Sequence, residues 1–156
     1  MNNPFTEYLI LLDHMREALC QLSELARQKT RAVQNNDLAA LDEVLKQEQA
    51  SALAFRGLEQ KKTALLNSTG LNGVPLSSLA ENYPPKMRLE AKQTVEKLQA
   101  QYQVYRSSSE VARTTLECNL HEIDKIVGSA ADAQDGAGYS PKEPQLPKPM
   151  KTDFRA

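Results

Sequence analysis

The sequence predicts an all-α fold, an elongated antiparallel three-helix bundle or coiled coil with a long third helix and a disordered Pro-rich C-terminal tail. Apolar residues recur at alternating spacings of three and four through three long stretches, which is the pattern of a heptad seam. Trp is absent and aromatics make up 5% of the 156 residues. The core must therefore be built from Leu, Ala and Val, which suits long, thin helical packing. Composition also changes after Gly128, where small residues, glycines and then prolines take over. The expected division is a helical bundle over 1–128 and a flexible tail over 129–156. Within the bundle, helices are expected at about 3–34, 37–69 and 85–128, with a connector at 70–84.

The first helix opens at Asn3-Pro4, an N-cap followed by proline at the first helical position. Phe5, Tyr8, Leu12, Met15, Leu19, Leu22, Ala26 and Val33 form its seam, interrupted by Lys29. Leu9, Leu11 and Leu25 widen the stripe, so the helix is expected to touch two neighbours. Gln34-Asn35-Asn36-Asp37 breaks the pattern, and Asn36 or Asp37 can cap the next helix.

In the second helix Leu38, Leu41, Leu45, Ala52, Phe55 and Leu66 keep heptad spacing, with Leu58 and Leu65 beside them. Gly57 costs up to ~1 kcal/mol relative to Ala inside a helix. Either a close helix approach or a tolerated defect accounts for it. Gly70 suits the left-handed position after the helix, with Leu71 folding back. Within the connector, Pro75 to Ala80 is expected to make a single helical turn that packs Leu76 and Leu79 over the bundle end. Pro84-Pro85 closes the connector and starts the third helix.

That helix carries Ala91, Val95, Leu98, Tyr102, Tyr105, Ala112, Leu116 and Ile123 on a heptad frame. Ser107-Ser108-Ser109 compete for backbone hydrogen bonds, so a flexible point is expected there. Counted from Pro85 to a stop at Gly128, the helix outruns its companions by three to four turns, about 20 Å. The excess carries Leu116, Leu120, Ile123 and Val127, spaced 4, 3, 4 on one face. A compact bundle does not leave such a stripe without a neighbour. Three occupants are open: the helix folded back on itself, a second copy in a coiled coil, or a different chain docked helix-in-groove.

Lys and Arg number 19 against 20 Asp and Glu, and both signs interleave along every helix. Phosphate-backbone binding, and so a nucleic-acid partner, is not expected. The best apolar run, Tyr8 to Leu12, is far short of the ~20 residues a bilayer requires, so stable membrane insertion is not expected either. The start lacks a basic n-region. A cytosolic location is expected, with Cys20 and Cys118 as separate thiols. Cys118 has no basic neighbour on its own helix to favour a thiolate, so a small, buried or inert thiol is the default.

No Gly-rich phosphate loop, nucleophile elbow or Cys cluster is present, and no enzymatic activity or cofactor is expected. His121 comes four residues after Glu117, but a helical di-metal site needs several carboxylates and paired Glu-x-x-His motifs. Those are missing, and no metal site is expected. His14 beside Asp13 carries less still. Tyr139, between Gly138 and Pro141 in the tail, has two readings: an ordinary tail residue, or a short docking element of large area and little entropy to lose.

The order of these parts resembles the FlgN family of flagellar export chaperones, which serve hook-associated (hook–filament junction) proteins. The resemblance rests on the Leu-rich first helix, the break at Asn36-Asp37-Leu38-Ala39-Ala40-Leu41, and Leu58-Glu59-Gln60-Lys61-Lys62 leading to Leu65-Leu66. Gly70-Leu71, the third helix through Asn119-Leu120-His121-Glu122-Ile123, and the tail with Tyr139 complete it. It implies a non-enzymatic helical chaperone that holds the C-terminal segments of hook-associated proteins and delivers them to the export gate. The family's client-binding region corresponds here to about Val111 to Val127, and its gate contact to Tyr139. The rival reading is a structural or adaptor coiled coil that holds a permanent helical partner.

Overall fold

The computed structural model describes residues 3–133, and side chains as far as Ser129. Three long helices are present: α1 over Pro4–Gln34, α2 over Leu38–Thr69 and α3 over Arg88–Ala133. Each start and stop has a local cause. Asn3 accepts a hydrogen bond from the Phe5 amide at 3.0 Å, with Pro4 at the first helical position, so two orphan donors of the first turn are dealt with. Asn36 turns the chain with a φ of 53°. Asp37 then caps α2 through the Ala40 amide at 3.1 Å. At the far end Gly70 takes φ 72°, a region that costs a side chain energy. There the Leu71 amide reaches back to the Leu66 carbonyl at 3.2 Å, and Leu71 is buried.

α1 is the element on which the others are laid. Both α2 and α3 pack along its length, while among the described residues α2 and α3 scarcely approach one another. This explains the widened stripe: Tyr8, Leu9, Leu11, Leu12, Met15, Leu19, Leu22 and Leu25 are all buried. α2, by contrast, buries only Val44 and Phe55 completely. Leu41, Leu45, Ala52, Leu58, Leu65 and Leu66 are not so well covered; most are half-buried at the α1 contact. Leu38, expected on the α2 seam, is 77% exposed. It is the first residue of the helix, beside the turn, where no third helix face reaches it.

The 70–84 segment closes the end of the bundle where α1 begins. In place of one helical turn it makes two short 3₁₀ turns, Leu76–Ser78 and Ala80–Asn82, and a third, Pro85–Met87, leads into α3. Leu71, Leu76, Leu79 and Tyr83 join the core around Tyr8. The Tyr83 hydroxyl donates to the Phe5 carbonyl at 3.0 Å, and the two rings meet edge to face with centroids 4.9 Å apart.

Polar groups along α1 lock its two partners. Ser23, fully buried, donates to the Leu19 carbonyl at 2.7 Å and accepts from the Gln101 amide of α3 at 3.3 Å. Lys29, the residue that interrupts the seam, reaches α2 and contacts both Glu48 carboxylate oxygens at 3.0 Å. A seam that would otherwise slide is thereby given a register.

The serine run does not break α3, which is helical through Ser107, Ser108 and Ser109. Burial raises the pKa of the Tyr105 phenol and a hydrogen bond with Ser109 partly lowers it again. Nor does the helix stop at Gly128. It continues to Ala133, since one interior glycine costs only ~1 kcal/mol. Of the two readings of Gly57, the tolerated defect fits: no described atom lies within 4 Å of where a Cβ would stand.

Two consequences for stability can be measured. Gly57→Ala should stabilise the fold by about 0.5–1 kcal/mol in urea unfolding, because it gains helix propensity and meets no obstacle. The second concerns pH. Burial pushes the Tyr8 phenol up to about 12 and raises that of Tyr83 as well. The fold thus favours the neutral phenols, a contribution complete below the ordinary tyrosine value of ~10 and lost as pH climbs through the folded values. Tyr83→Phe should cost about 1 kcal/mol at neutral pH, for the bond to Phe5, and should flatten the loss of stability between pH ~10 and ~12.

Candidate functional site

The register of α1 against α3 defines the site. Tyr83 meets Phe5 and Gln101 meets Ser23, both pairs separated by 78 residues. The two helices therefore run parallel, and the last residue of α1, Gln34, falls level with Ala112. Ala112 is also the last buried residue of α3. From Arg113 to Ala133 the helix runs past the end of α1 for about 30 Å at ~1.5 Å per residue. This exceeds the 20 Å expected, because α3 passes Gly128 and because parallel packing on α1 leaves the whole surplus at one end.

The stripe on this overhang prolongs the face that α1 covers lower down. Leu116 and Leu120 are half-buried, while Ile123 and Val127 are 47% and 45% exposed. A helix unbroken to Ala133 excludes the folded-back arrangement. Ile126, 70% exposed, also belongs to the surface. It lies three residues after Ile123, a spacing that could have revealed it, and it widens the stripe to an arc of about 120° at 100° per residue. Val111 stands elsewhere: it is 53% exposed and about 100° around the helix from Ala112, on the side of Val104. Tyr139 lies outside the described residues.

Polar residues border the stripe. Arg113 Nε donates to Glu117 Oε1 at 3.1 Å. Glu122 and Asp124 are exposed and form no ion pair among the described residues. Cys118 is exposed, as is Cys20, so of the small, buried or inert thiol expected for Cys118 the buried form is not the one found. By the same register Cys20 lies level with Leu98, so ~30 Å of helix separates the two thiols.

A second apolar depression, about 350 Å³ and wide open, lies between α1 and α2. Leu11, Leu58 and Leu65 floor it beside exposed Ile10, and its rim carries Glu7 and Lys61, of opposite sign. Among the described residues no group of three or more His, Cys, Asp or Glu is placed to hold a metal ion. No described helix is long and apolar enough to cross a membrane. The two exposed surfaces are thus apolar and helical, suited to protein contact.

Comparison with known proteins agrees with this reading. The family model described as FlgN protein matches residues 1–143. Neither the curated proteins nor the solved structures give a match. With the match running through all three helices and past the end of α3, the chain belongs to the FlgN family, the flagellar export chaperones.

Proposed function

We propose that the chain is a cytoplasmic chaperone of flagellar type III secretion that binds the C-terminal segments of hook-associated proteins on the α3 overhang. Leu116, Leu120, Ile123 and Val127 cover an amphipathic client segment, with Ile126 at the edge, and keep it from assembling early. Val111, on another side of the helix, contributes least. The tail, Tyr139 included, remains available to meet the export gate. No nucleotide is needed for such a cycle, because competition at the gate releases the client.

One observation supports this reading: amphipathic helix running about six turns past the end of α1, with Ile123, Ile126 and Val127 of its apolar arc exposed. Four side chains of this kind gross roughly 6–12 kcal/mol when fully buried, at ~1.5–3 each. Ordering and association costs reduce the net to a reversible, moderate affinity. A chaperone that must surrender its client needs contact of that order.

Leu120→Asp and Ile123→Asp test the assignment by co-purification with hook-associated proteins. Each places a charge in a contact that has to be desolvated, so client recovery should fall at least roughly tenfold. The circular dichroism and thermal midpoint of the bundle should stay as they were, since neither residue touches the α1 core. Client binding that survives both substitutions in a folded chain contradicts the site.

A further inference from the structure

The charges bordering the apolar arc say what sort of helix it accepts. At 100° per residue Leu116, Leu120, Ile123, Ile126 and Val127 span about 120°. Asp124 and Glu117 lie about 40° and 60° beyond one edge, and Glu122 lies about 40° beyond the other. The cations of this stretch are placed otherwise. Lys125 and His121 are on the far side of the helix, and Arg113, about 20° beyond the same edge as Asp124, pairs with Glu117 at 3.1 Å, so those two charges cancel. Both shoulders of the upper overhang are therefore acidic.

A second copy is a poor occupant of such a surface. Two overhangs paired antiparallel set the Asp124 shoulder against its own counterpart. Paired parallel, they set it against the Glu122 shoulder. Either way carboxylate faces carboxylate across the seam, which opposes pairing. A helix with acidic borders of its own meets the same repulsion.

We infer that the partner segment seated on the overhang is an amphipathic helix whose apolar stripe is bordered by Lys or Arg. This rests on the docking surface proposed above and specifies its chemistry. The basic borders raise the rate of encounter and fix the register of the two helices, while the apolar arc supplies the hold.

Two synthetic peptides of about 20 residues, the length of the overhang, test this. They share one Leu stripe and differ only in having Lys or Glu at the bordering positions. Binding to the full chain is read by fluorescence anisotropy. At low salt the Lys-bordered peptide should bind at least roughly tenfold more tightly. The preference should collapse in ~1 M salt, where the screening length is ~3 Å. Glu122→Gln with Asp124→Asn should also remove it, with no loss of binding by the Glu-bordered peptide. Equal binding of both peptides, or a preference that survives in this double variant, overturns the inference. If both then still fail to bind Leu120→Asp, the docking surface itself stands. Binding of neither peptide, or a chain that dimerises at low salt through the overhang, overturns the inference together with the occupant proposed for that surface.

Discussion

A hydrogen bond from Tyr83 to the Phe5 carbonyl and another from Gln101 to Ser23 set α3 beside α1 at a constant offset, and the form of the molecule depends on that offset. Had α3 begun half-way along α1, the bundle would overhang farther at one end and lie bare at the other. Because the 70–84 segment is folded against the start of α1, α3 begins within about two turns of that start. All surplus length then appears at the opposite end. The core around Tyr8, Leu79 and Tyr83 is thus what places an apolar surface some tens of ångströms away.

The polar residues inside the seam serve the same end. Leucines at heptad spacing pack almost as well one turn out of register, so apolar burial alone leaves sliding cheap. Ser23 against Gln101 holds α3, and Lys29 against Glu48 holds α2. Both pairs lie along α1, the one helix that packs against both of the others. The overhang has no such device among its described residues. Its charges point outward, and its specificity has to come from whatever chain supplies the missing face.

Much of this was legible in the residues because its causes are local. Asn3-Pro4, Asp37 and Gly70 mark helix ends through their own side chains or backbone freedom, and the structure places a cap at each. The spacing of Leu116, Leu120, Ile123 and Val127 defines a face whatever surrounds it. What escaped was tertiary. The serine run reads as a weak point until Tyr105 stands beside Ser109. Leu38 reads as core until its place beside the turn is known. Gly128 reads as a stop, although the cost of an interior glycine is too small to end a helix. The length of the overhang depends on an interhelical register that no single stretch encodes. Ile126 falls off the heptad frame, so a strict 4, 3, 4 spacing passes over it. The acidic shoulders become informative only once the helix is seen to run past the end of α1.

Among the described residues, 91–112 pack along α1 while 113–133 run past its end, and the proposed function stands on that contrast. Amide hydrogen exchange on the full chain measures it most directly, because exchange in a helix without tertiary packing is governed by local opening. In the chain alone, amides of 91–112 should exchange slowly, at rates set by unfolding of the bundle. Those of 113–133 should exchange far faster and slow down when a hook-associated protein is added. Equal protection of the two segments in the chain alone would contradict the account.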